Sequence, residues 1–168
     1  MEKRYEFDKA DLLSAFAVGV PGHRTFFLAL GQQQKWVRAW LEKDQLAALS
    51  AAIEQFLFTL GQEQPGILRG VEQVPVSNIR PRTLPAAELD IGEMTLGFDG
   101  GKAILDFTAR VSGQETEEQI EISCQVALAR LKKLGEQAAE VCVAGRPRCI
   151  LCGNPIEPSG HHVCPAYN

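Results

Sequence analysis

The sequence predicts an α+β fold made of two antiparallel βββα units around one core, with a zinc knuckle at the C-terminus. Three observations support this prediction. Segments of alternating apolar and polar residues are followed, twice, by a segment whose apolar residues recur every three or four positions. The last 20 residues contain three cysteines and two histidines. A chain of 168 residues is also long enough to bury a core without help from a metal.

The first half of the chain begins as a run of strands. Pro21 and Gly22 form a turn between two apolar segments, and "GQQQ" separates the second of these from "KWVRAWL", which alternates regularly. A short edge strand precedes this three-stranded meander. The predicted strands span residues 5–7, 14–20, 24–30 and 35–41.

A helix follows, because six apolar residues fall on one stripe at steps of three and four. Its predicted span is 43–60, with Gly61 as a left-handed C-terminal cap. We expect the stripe to pack on the sheet, and a helix that binds a partner is the alternative. The stripe consists of Leu46, Leu49, Ile53, Phe56, Leu57 and Leu60.

Residues 62–88 follow neither period and contain four prolines. A connection of this length is uncommon inside a compact domain. We expect a solvated, partly mobile connector that wraps the domain. Arg69, Arg80 and Arg82 give it local positive charge, so a contact with an anion or a partner is the alternative.

The same order of elements then recurs. Asp99-Gly100 is a strong hairpin signal between two alternating segments, and a third segment follows the polar turn "GQETEE". A second helix is predicted over 124–143, with Ser123 as its N-cap and Gly145 at its end. The predicted strands of this unit span 89–99, 102–112 and 119–123.

An internal duplication explains this order economically, and chance is the alternative because few residues are identical. The junctions "LEKDQLAAL" (41–49) and "ISCQVALARL" (122–131) each place glutamine and then an apolar residue in the first helical turn. A real duplication would let the two sheets merge about a pseudo-twofold axis, with both helices packed against them. The predicted α+β domain, 1–145, has half-units 1–61 and 89–145 joined by the connector, and a zinc-binding extension spans 146–168.

Composition and charge limit the classes of function. The chain has 17 basic and 21 acidic residues, a net charge of -4, and this argues against nucleic-acid binding, which depends on clustered cations. The N-terminus has no signal-peptide pattern, and no segment reaches the roughly 20 apolar residues that cross a bilayer. We therefore expect a cytoplasmic protein whose five cysteines, an odd number, stay as thiols or bind a metal.

The C-terminal cysteines and histidines predict a zinc site. Cys149 and Cys152 form a C-x-x-C turn, followed by a glycine, in which two thiolates converge on one ion. Cys164 and either His161 or His162 would complete the tetrahedron, and spacing alone leaves both histidines open. Because four protein ligands leave no position for water or substrate, the pattern favours a structural ion.

Other interpretations of the cysteines are weaker. A thioredoxin-like redox pair needs its C-x-x-C at the start of a helix, and Pro155 and Pro158 follow too soon. A structural disulfide is disfavoured in a reducing compartment. Cys124 and Cys142, about 27 Å apart along the predicted second helix, are expected to be core or near-core thiols, with Cys142 a remote substitute ligand.

Two stretches of the chain match the pattern of a known family. They are "GHRTFFL" (22–28) and "AGRPRCILCGNPIEPSGHHVCP" (144–165). They resemble the bacterial, mainly actinobacterial, domain-of-unknown-function family 3090, whose members share a G-x-R-T-F-Y-L-like strand and an A-G-R-P-x-C-P-x-C-G…G-H-x-C-P ending. That ending has a histidine two residues before the last cysteine, which implies His162 as the ligand. Ile150 stands where the family often has proline. The resemblance implies no established activity.

The sequence indicates a zinc-stabilised binding or accessory protein, and it contains no motif of a known catalytic class. Trp36, Arg38 and Trp40 share one face of a strand, which is an exposed surface for a protein or a small anionic ligand if the opposite face fills the core. The reverse orientation is equally open. An enzyme acting on an anionic small molecule through His23 and Arg24 is the alternative, and a zinc-ribbon nucleic-acid binder ranks third.

Overall fold

The computed structural model describes residues 3–20, 22–32, 34–76, 80–143, 149–154, 156 and 162–167. Within these residues, seven strands form one mixed sheet and share a core with two α-helices, which confirms the α+β class. No helix in the described part of the chain has the length and apolarity to cross a bilayer. The elements are β1 (Lys3–Phe7), β2 (Leu12–Val18), β3 (Thr25–Gln32), β4 (Lys35–Leu41), α1 (Lys43–Glu63), β5 (Ala87–Asp99), β6 (Lys102–Val111), β7 (Ile120–Val126) and α2 (Leu128–Val143), with 3₁₀ turns at Val71–Gln73 and Pro165–Tyr167.

The strand order is β1-β7-β6-β5-β4-β3-β2, so two antiparallel meanders, β2-β3-β4 and β5-β6-β7, lie side by side. They meet where β4 pairs with β5 in parallel. The two units therefore repeat the same strand order and the same strand directions along the sheet. A pseudo-twofold axis would have to run along the strands of the curved sheet, and the predicted pseudo-twofold arrangement stays a prediction. The edge strand β1 pairs in parallel with β7.

The sheet is strongly curved. β1 and β2 occupy opposite edges of the sheet although only residues 8–11 separate them. Seven flat strands span about 29 Å from first to last, whereas five Cα–Cα steps reach at most about 18 Å. Two hydrogen bonds support this approach. The Ala10 N–H donates to the Gln125 carbonyl of β7 (3.1 Å), and the Lys9 N–H donates to the side-chain Oε1 of Gln32 on β3 (3.2 Å). The helices fill the concave side of this open barrel.

The two helices pack closely against each other. A Cβ atom on Gly135 of α2 would lie 2.9 Å from Ile53 Cγ2 of α1, so only glycine allows the helices to approach this closely. Ser50 Oγ donates to the Gly135 carbonyl at 2.9 Å. As predicted, the apolar stripe of α1 faces the core, where its buried members are Leu46, Leu49, Ile53, Leu57 and Leu60.

The predicted C-terminal cap of α1 is wrong. The helix continues through Gly61 to Glu63, and the Gln64 N–H still donates to the Leu60 carbonyl at 2.9 Å. A Cβ at position 61 would lie 3.2 Å from Leu68 Cδ1. Gly61 therefore admits the returning connector against the helix, and it does not end the helix.

The predicted start of the second helix is also wrong. β7 extends to Val126, because the alternation of buried Ile120, Ile122, Cys124 and Val126 continues the period of a strand. Ser123 is a strand residue beside Glu6 and is not an N-cap. Gln125 also lies in β7, so the two junctions do not correspond, and the internal duplication stays a prediction. The predicted end at Gly145 lies outside the described residues.

The connector wraps the domain in the part that the structure describes. Ile67, Leu68 and Val71 pack against the core. Further along, Thr83 Oγ1 donates to the Gln34 carbonyl at 3.3 Å, and the Ala86 N–H donates to the Trp36 carbonyl at 2.7 Å. These contacts hold the connector to β4 before β5 begins.

Cys124 makes the stability of the fold depend on pH at alkaline values. Burial, with a smaller contribution from the Asp106 carboxylate, raises the pKa of this thiol from 9.0 to about 12. The thiol ionises at a lower pH in the unfolded chain than in the folded protein. Its contribution to the free energy of unfolding is therefore complete below pH 9.0 and is lost as pH rises towards about 12, by about 1.4 kcal/mol per pH unit. We expect urea titrations at pH values above 9.0 to give Cys124→Ala a flatter decline in unfolding free energy than wild type. Burial also raises the pKa of Cys142, which is less buried than Cys124, so Cys142→Ala should flatten the decline less than Cys124→Ala does. Equal slopes for wild type and Cys124→Ala would contradict the assignment.

Candidate metal centre

The C-terminal tail carries a tight knuckle between Cys149 and Asn154. The Cys149 N–H donates to the Asn154 carbonyl and the Gly153 N–H donates to the Cys149 carbonyl, both at 2.8 Å. Gly153 has φ +73°, a left-handed conformation that favours glycine. These bonds turn the side chains of Cys149 and Cys152 towards the same point, as the C-x-x-C-G pattern predicts.

The second pair of donors comes from the other end of the tail. The ligand atoms of Cys149, Cys152, His162 and Cys164 all lie within 4.8 Å of one another. The Sγ atoms of Cys149 and Cys164 are 3.7 Å apart, and Cys152 Sγ is 3.1 Å from His162 Nε2. A tetrahedron with metal–sulfur bonds of about 2.3 Å has edges of about 3.8 Å, so the four donors fit one tetrahedral ion.

The electrostatics of the knuckle favour a thiolate. Backbone N–H groups of Cys152 and then Leu151 point at the Cys149 sulfur and lower its pKa from 9.0 to about 6. Partial burial raises the pKa of Cys164. A bound cation would offset this second effect, because a metal stabilises the ionised form of each thiol that it binds.

The remaining cysteines lie elsewhere. Cys124 is in the core of the sheet, and Cys142 Sγ on α2 is 3.9 Å from the Lys43 carbonyl, to which it donates. Neither belongs to the cluster that the described residues form. His161, the alternative ligand, lies outside the described residues. All five cysteines are free thiols, and the C-x-x-C segment forms a turn where a thioredoxin-like pair would begin a helix.

The predicted partner surface lies on the convex, helix-free face of the sheet. Val37, Ala39 and Leu41 of β4 fill the main core, so Trp36, Arg38 and Trp40 point the other way. Trp36 is only 3% exposed, because it packs with Leu12 and Ala29 in a small second core on this face, and its indole N–H donates to the Thr83 carbonyl of the connector at 3.1 Å. Of the two orientations that the sequence left open, the structure places the opposite face of β4 in the main core, but this surface is only partly exposed: Trp36 is buried, while Trp40 and Arg38 are half-buried.

Neighbouring strands extend this surface into what we call the aromatic–arginine cluster: Phe16, Phe27, Trp36, Trp40, Arg38 and Arg80. The Phe27 ring lies 5.3 Å from that of Phe16 and 5.2 Å from that of Trp40. The Arg38 guanidinium is 5.1 to 5.6 Å from the ring centres of Phe27, Trp36 and Trp40 and pairs with Glu88 at 2.7 Å.

Three members of this cluster were not predicted from the sequence. Phe16 and Phe27 occupy directly opposed positions on β2 and β3, and the Arg80 guanidinium lies 5.2 Å from the Phe16 ring centre. The alternation within each strand could have placed the two phenylalanines on the face of Trp40, provided that the register was known. No sequence signal placed Arg80 there, because it reaches Phe16 from the irregular connector.

His23 and Arg24 lie in the turn between β2 and β3. His23 is exposed, and its N–H donates to the Val20 carbonyl at 2.9 Å, while Arg24 is half-buried. Gly19, with φ +106°, allows the turn to close, because a Cβ there would lie 2.5 Å from the His23 carbonyl oxygen. The turn follows the last residue pair of the two strands, Val18 with Thr25. The pair Phe16 with Phe27 of the aromatic–arginine cluster lies two positions further into the same strands.

Comparison with known proteins supports the resemblance seen in the sequence. A family model described as "Protein of unknown function (DUF3090)" matches residues 5–164, nearly the whole chain. The chain belongs to this family. No curated protein and no solved structure matches it. In this DUF3090 member, the early strand that contains Phe26–Leu28 lies within the matched range. The four possible ligands Cys149, Cys152, His162 and Cys164 also lie within it, so the family model covers the candidate metal centre.

Proposed function

We propose that this DUF3090 protein is a cytoplasmic binding or accessory protein whose C-terminal tail is held by a structural zinc ion. One observation carries the metal part of the proposal: three cysteine sulfurs and one histidine nitrogen converge within 4.8 Å. A sulfur-rich tetrahedral donor set suits zinc, and a reducing compartment keeps the three thiols available as ligands. Because the protein supplies all four ligands, the ion has no open position for a substrate.

Metal analysis of the purified full-length protein tests this assignment. We expect one zinc ion per chain, and we expect the cobalt-substituted protein to show the visible absorption of tetrahedral thiolate coordination. Cys164→Ser, which removes one of the four ligands, should lower the zinc content and change the cobalt spectrum. Cys142→Ser, which changes a half-buried cysteine outside the cluster, should preserve them. Iron in place of zinc, or equal zinc content in both variants, would overturn the assignment.

The aromatic–arginine cluster is the surface that we propose for partner binding, with a protein or a small anionic ligand as the partner. Half-buried aromatic rings beside arginines are enriched at interfaces, because they combine apolar area with directional charge. Arg80 is exposed, and its guanidinium rests on Phe16, so its charge is available to an anionic group.

Tryptophan emission gives a built-in measurement for this proposal, because the two tryptophans of the chain both belong to the cluster. Titrations with inorganic phosphate, citrate and ATP as probes should shift the emission of wild type if a small anion binds here. Arg80→Gln should weaken the response, whereas Arg69→Gln, on a distant part of the connector, should not. If no probe changes the emission, the small-anion form of the proposal is wrong and a protein partner is left.

The structural role of Arg38 in this surface is a separate prediction. Arg38→Gln removes the charge from three aromatic rings and from Glu88. We expect a loss of about 1 kcal/mol in unfolding free energy and a red shift of tryptophan emission. Arg4→Gln, which removes an exposed arginine paired with Glu6 and Glu121, is the control, and it should cost less than about 0.5 kcal/mol. Equal effects of the two substitutions would count against the cation–π contribution.

An enzyme that uses His23 and Arg24 and a zinc-ribbon nucleic-acid binder rank below this proposal. The net charge of -4 argues against a nucleic-acid binder, which depends on clustered cations. His23 and Arg24 lie in a turn, and the sequence has no motif of a known catalytic class to support them as catalytic residues.

A further inference from the structure

β5 and β6 form a long hairpin, and the outer half of β5 extends beyond β4 as an edge strand. β5 pairs with β4 only from Ala87 to Asp90. Beyond a bulge between Ile91 and Met94, it continues to Asp99, and β6 is its only strand neighbour in the part of the chain that the structure describes. The backbone groups on the other side of the segment Met94–Phe98 therefore have no strand partner there.

This edge lacks the features that protect exposed edges. The segment reads Met-Thr-Leu-Gly-Phe from Met94 to Phe98, with no proline and no charge. Natural edge strands are usually interrupted by lysine, proline or a bulge, because an open apolar edge pairs with other chains. Here the bulge lies before the segment, and the only flanking charges are those of Glu93 and Asp99.

An apolar groove runs beside the same edge. It has a volume of about 490 Å³ and lies between α1 and the hairpin, and none of the described residues that line it is charged. Ala52 and Phe56 form part of the helical wall, and Met94 and Leu96 form part of the wall on β5. A strand added to β5 would bring its own apolar side chains into this groove, as in recognition by β-strand addition.

We propose that the occupant is a second copy of this chain, whose β5 pairs antiparallel with β5 across a twofold axis. The segment is self-complementary, because it presents apolar side chains towards the groove and small ones on the opposite face. A twofold contact repeats every interaction, so the two grooves and two strands together can approach the roughly 1,000 Å² that a specific interface needs. Since the strand is short, we expect a concentration-dependent equilibrium between monomer and dimer.

Charge selects the register. If Leu96 faced its own copy, Glu93 would lie opposite the second copy's Asp99 at both ends, and directly opposed like charges are unfavourable. If Gly97 faces its own copy, Leu96 lies opposite the second copy's Phe98 and Thr95 lies opposite the second copy's Asp99. This register removes the repulsion and places the large apolar side chains against each other, so we assign the twofold axis to Gly97.

Sedimentation of the full-length protein tests the interface. Wild type should shift from monomer to dimer as its concentration rises, and Leu96→Lys should remain a monomer throughout. Phe58→Lys, which places the same charge on an exposed apolar residue of α1 outside the groove, should behave as wild type. Circular dichroism checks that each variant is folded. A wild type that is monomeric at every concentration, or a Leu96→Lys protein that dimerises like wild type, would overturn the proposal.

Cysteine cross-linking tests the register independently. Opposed residues of antiparallel strands have Cα atoms about 4.5–5.5 Å apart, within the range of a disulfide, whereas diagonal neighbours are about 7–8 Å apart. A Gly97→Cys dimer should therefore form an intermolecular disulfide under mild oxidation much faster than Leu96→Cys does. Peptide mapping locates the bond and separates it from the native cysteines. Faster cross-linking at 96 would refute the register, and none at either position would refute the β5 contact.

Discussion

Removing the metal is expected to release the C-terminal tail while the sheet and both helices remain folded. In the part of the chain that the structure describes, the main core contains no residue beyond Cys142. The tail is organised instead by the four donors and by the backbone bonds between Cys149 and Asn154. A chain of this size does not need a metal to bury a sufficient core, so we expect metal binding to stabilise the tail and not the main core.

Chelator titration followed by hydrogen exchange tests whether the tail depends on the metal while the sheet and helices do not. Amide protection at Cys149 and Gly153 should fall to the level of an unfolded segment, while the helical circular dichroism signal is retained almost completely. Cys164→Ser should lower zinc affinity by more than the roughly 10- to 100-fold that loss of a supporting residue costs. Cys142→Ser is again the matched control. Loss of most helical signal on chelation would show that the ion supports the whole fold.

Adding one methyl group at Gly135 is expected to destabilise the protein, although alanine is the better helix former. A Cβ there would lie 2.9 Å from Ile53 Cγ2 and 3.3 Å from Ile53 Cβ, atoms that cannot move without shifting α1. Overpacking of this kind costs about 1–3 kcal/mol, which exceeds the gain of about 0.5–1 kcal/mol from replacing a helical glycine. Urea unfolding of Gly135→Ala measures the net loss.

Gly61 supplies the matched control for this prediction. It also lies inside a helix, but its Cβ would meet only the flexible end of Leu68. Gly61→Ala should therefore be neutral or stabilising by up to about 1 kcal/mol. In the Ile53→Ala background, Gly135→Ala should cost at least about 1 kcal/mol less than in wild type, because the space is then available. Similar effects of the two glycine substitutions would argue against a steric limit at the helix crossing.

The elements that sequence analysis placed well are those whose signals are local. The stripe from Leu46 to Leu60 predicted α1, and the alternation around Asp99-Gly100 predicted the β5–β6 hairpin. The errors occurred where a local signal had a second meaning. Gly61 can end a helix or admit a neighbour, and the structure uses it for Leu68. Cys124 follows Ser123, a good N-cap, yet burial on the concave face keeps both in β7.

The ligand spacing and the two hydrophobic periods were enough to predict the α+β class, the meanders and the three cysteine ligands, because each depends on residues close together in the chain. The choice of His162 over His161 came from the family resemblance, because spacing left both histidines open. The neighbours of each strand could not be predicted in this way. The parallel join of β4 with β5, the separation of β1 from β2 to opposite edges and the approach of Arg80 to Phe16 arise from contacts between distant segments. These contacts are stabilised by burial across the whole sheet, so they cannot be predicted from any short stretch of sequence.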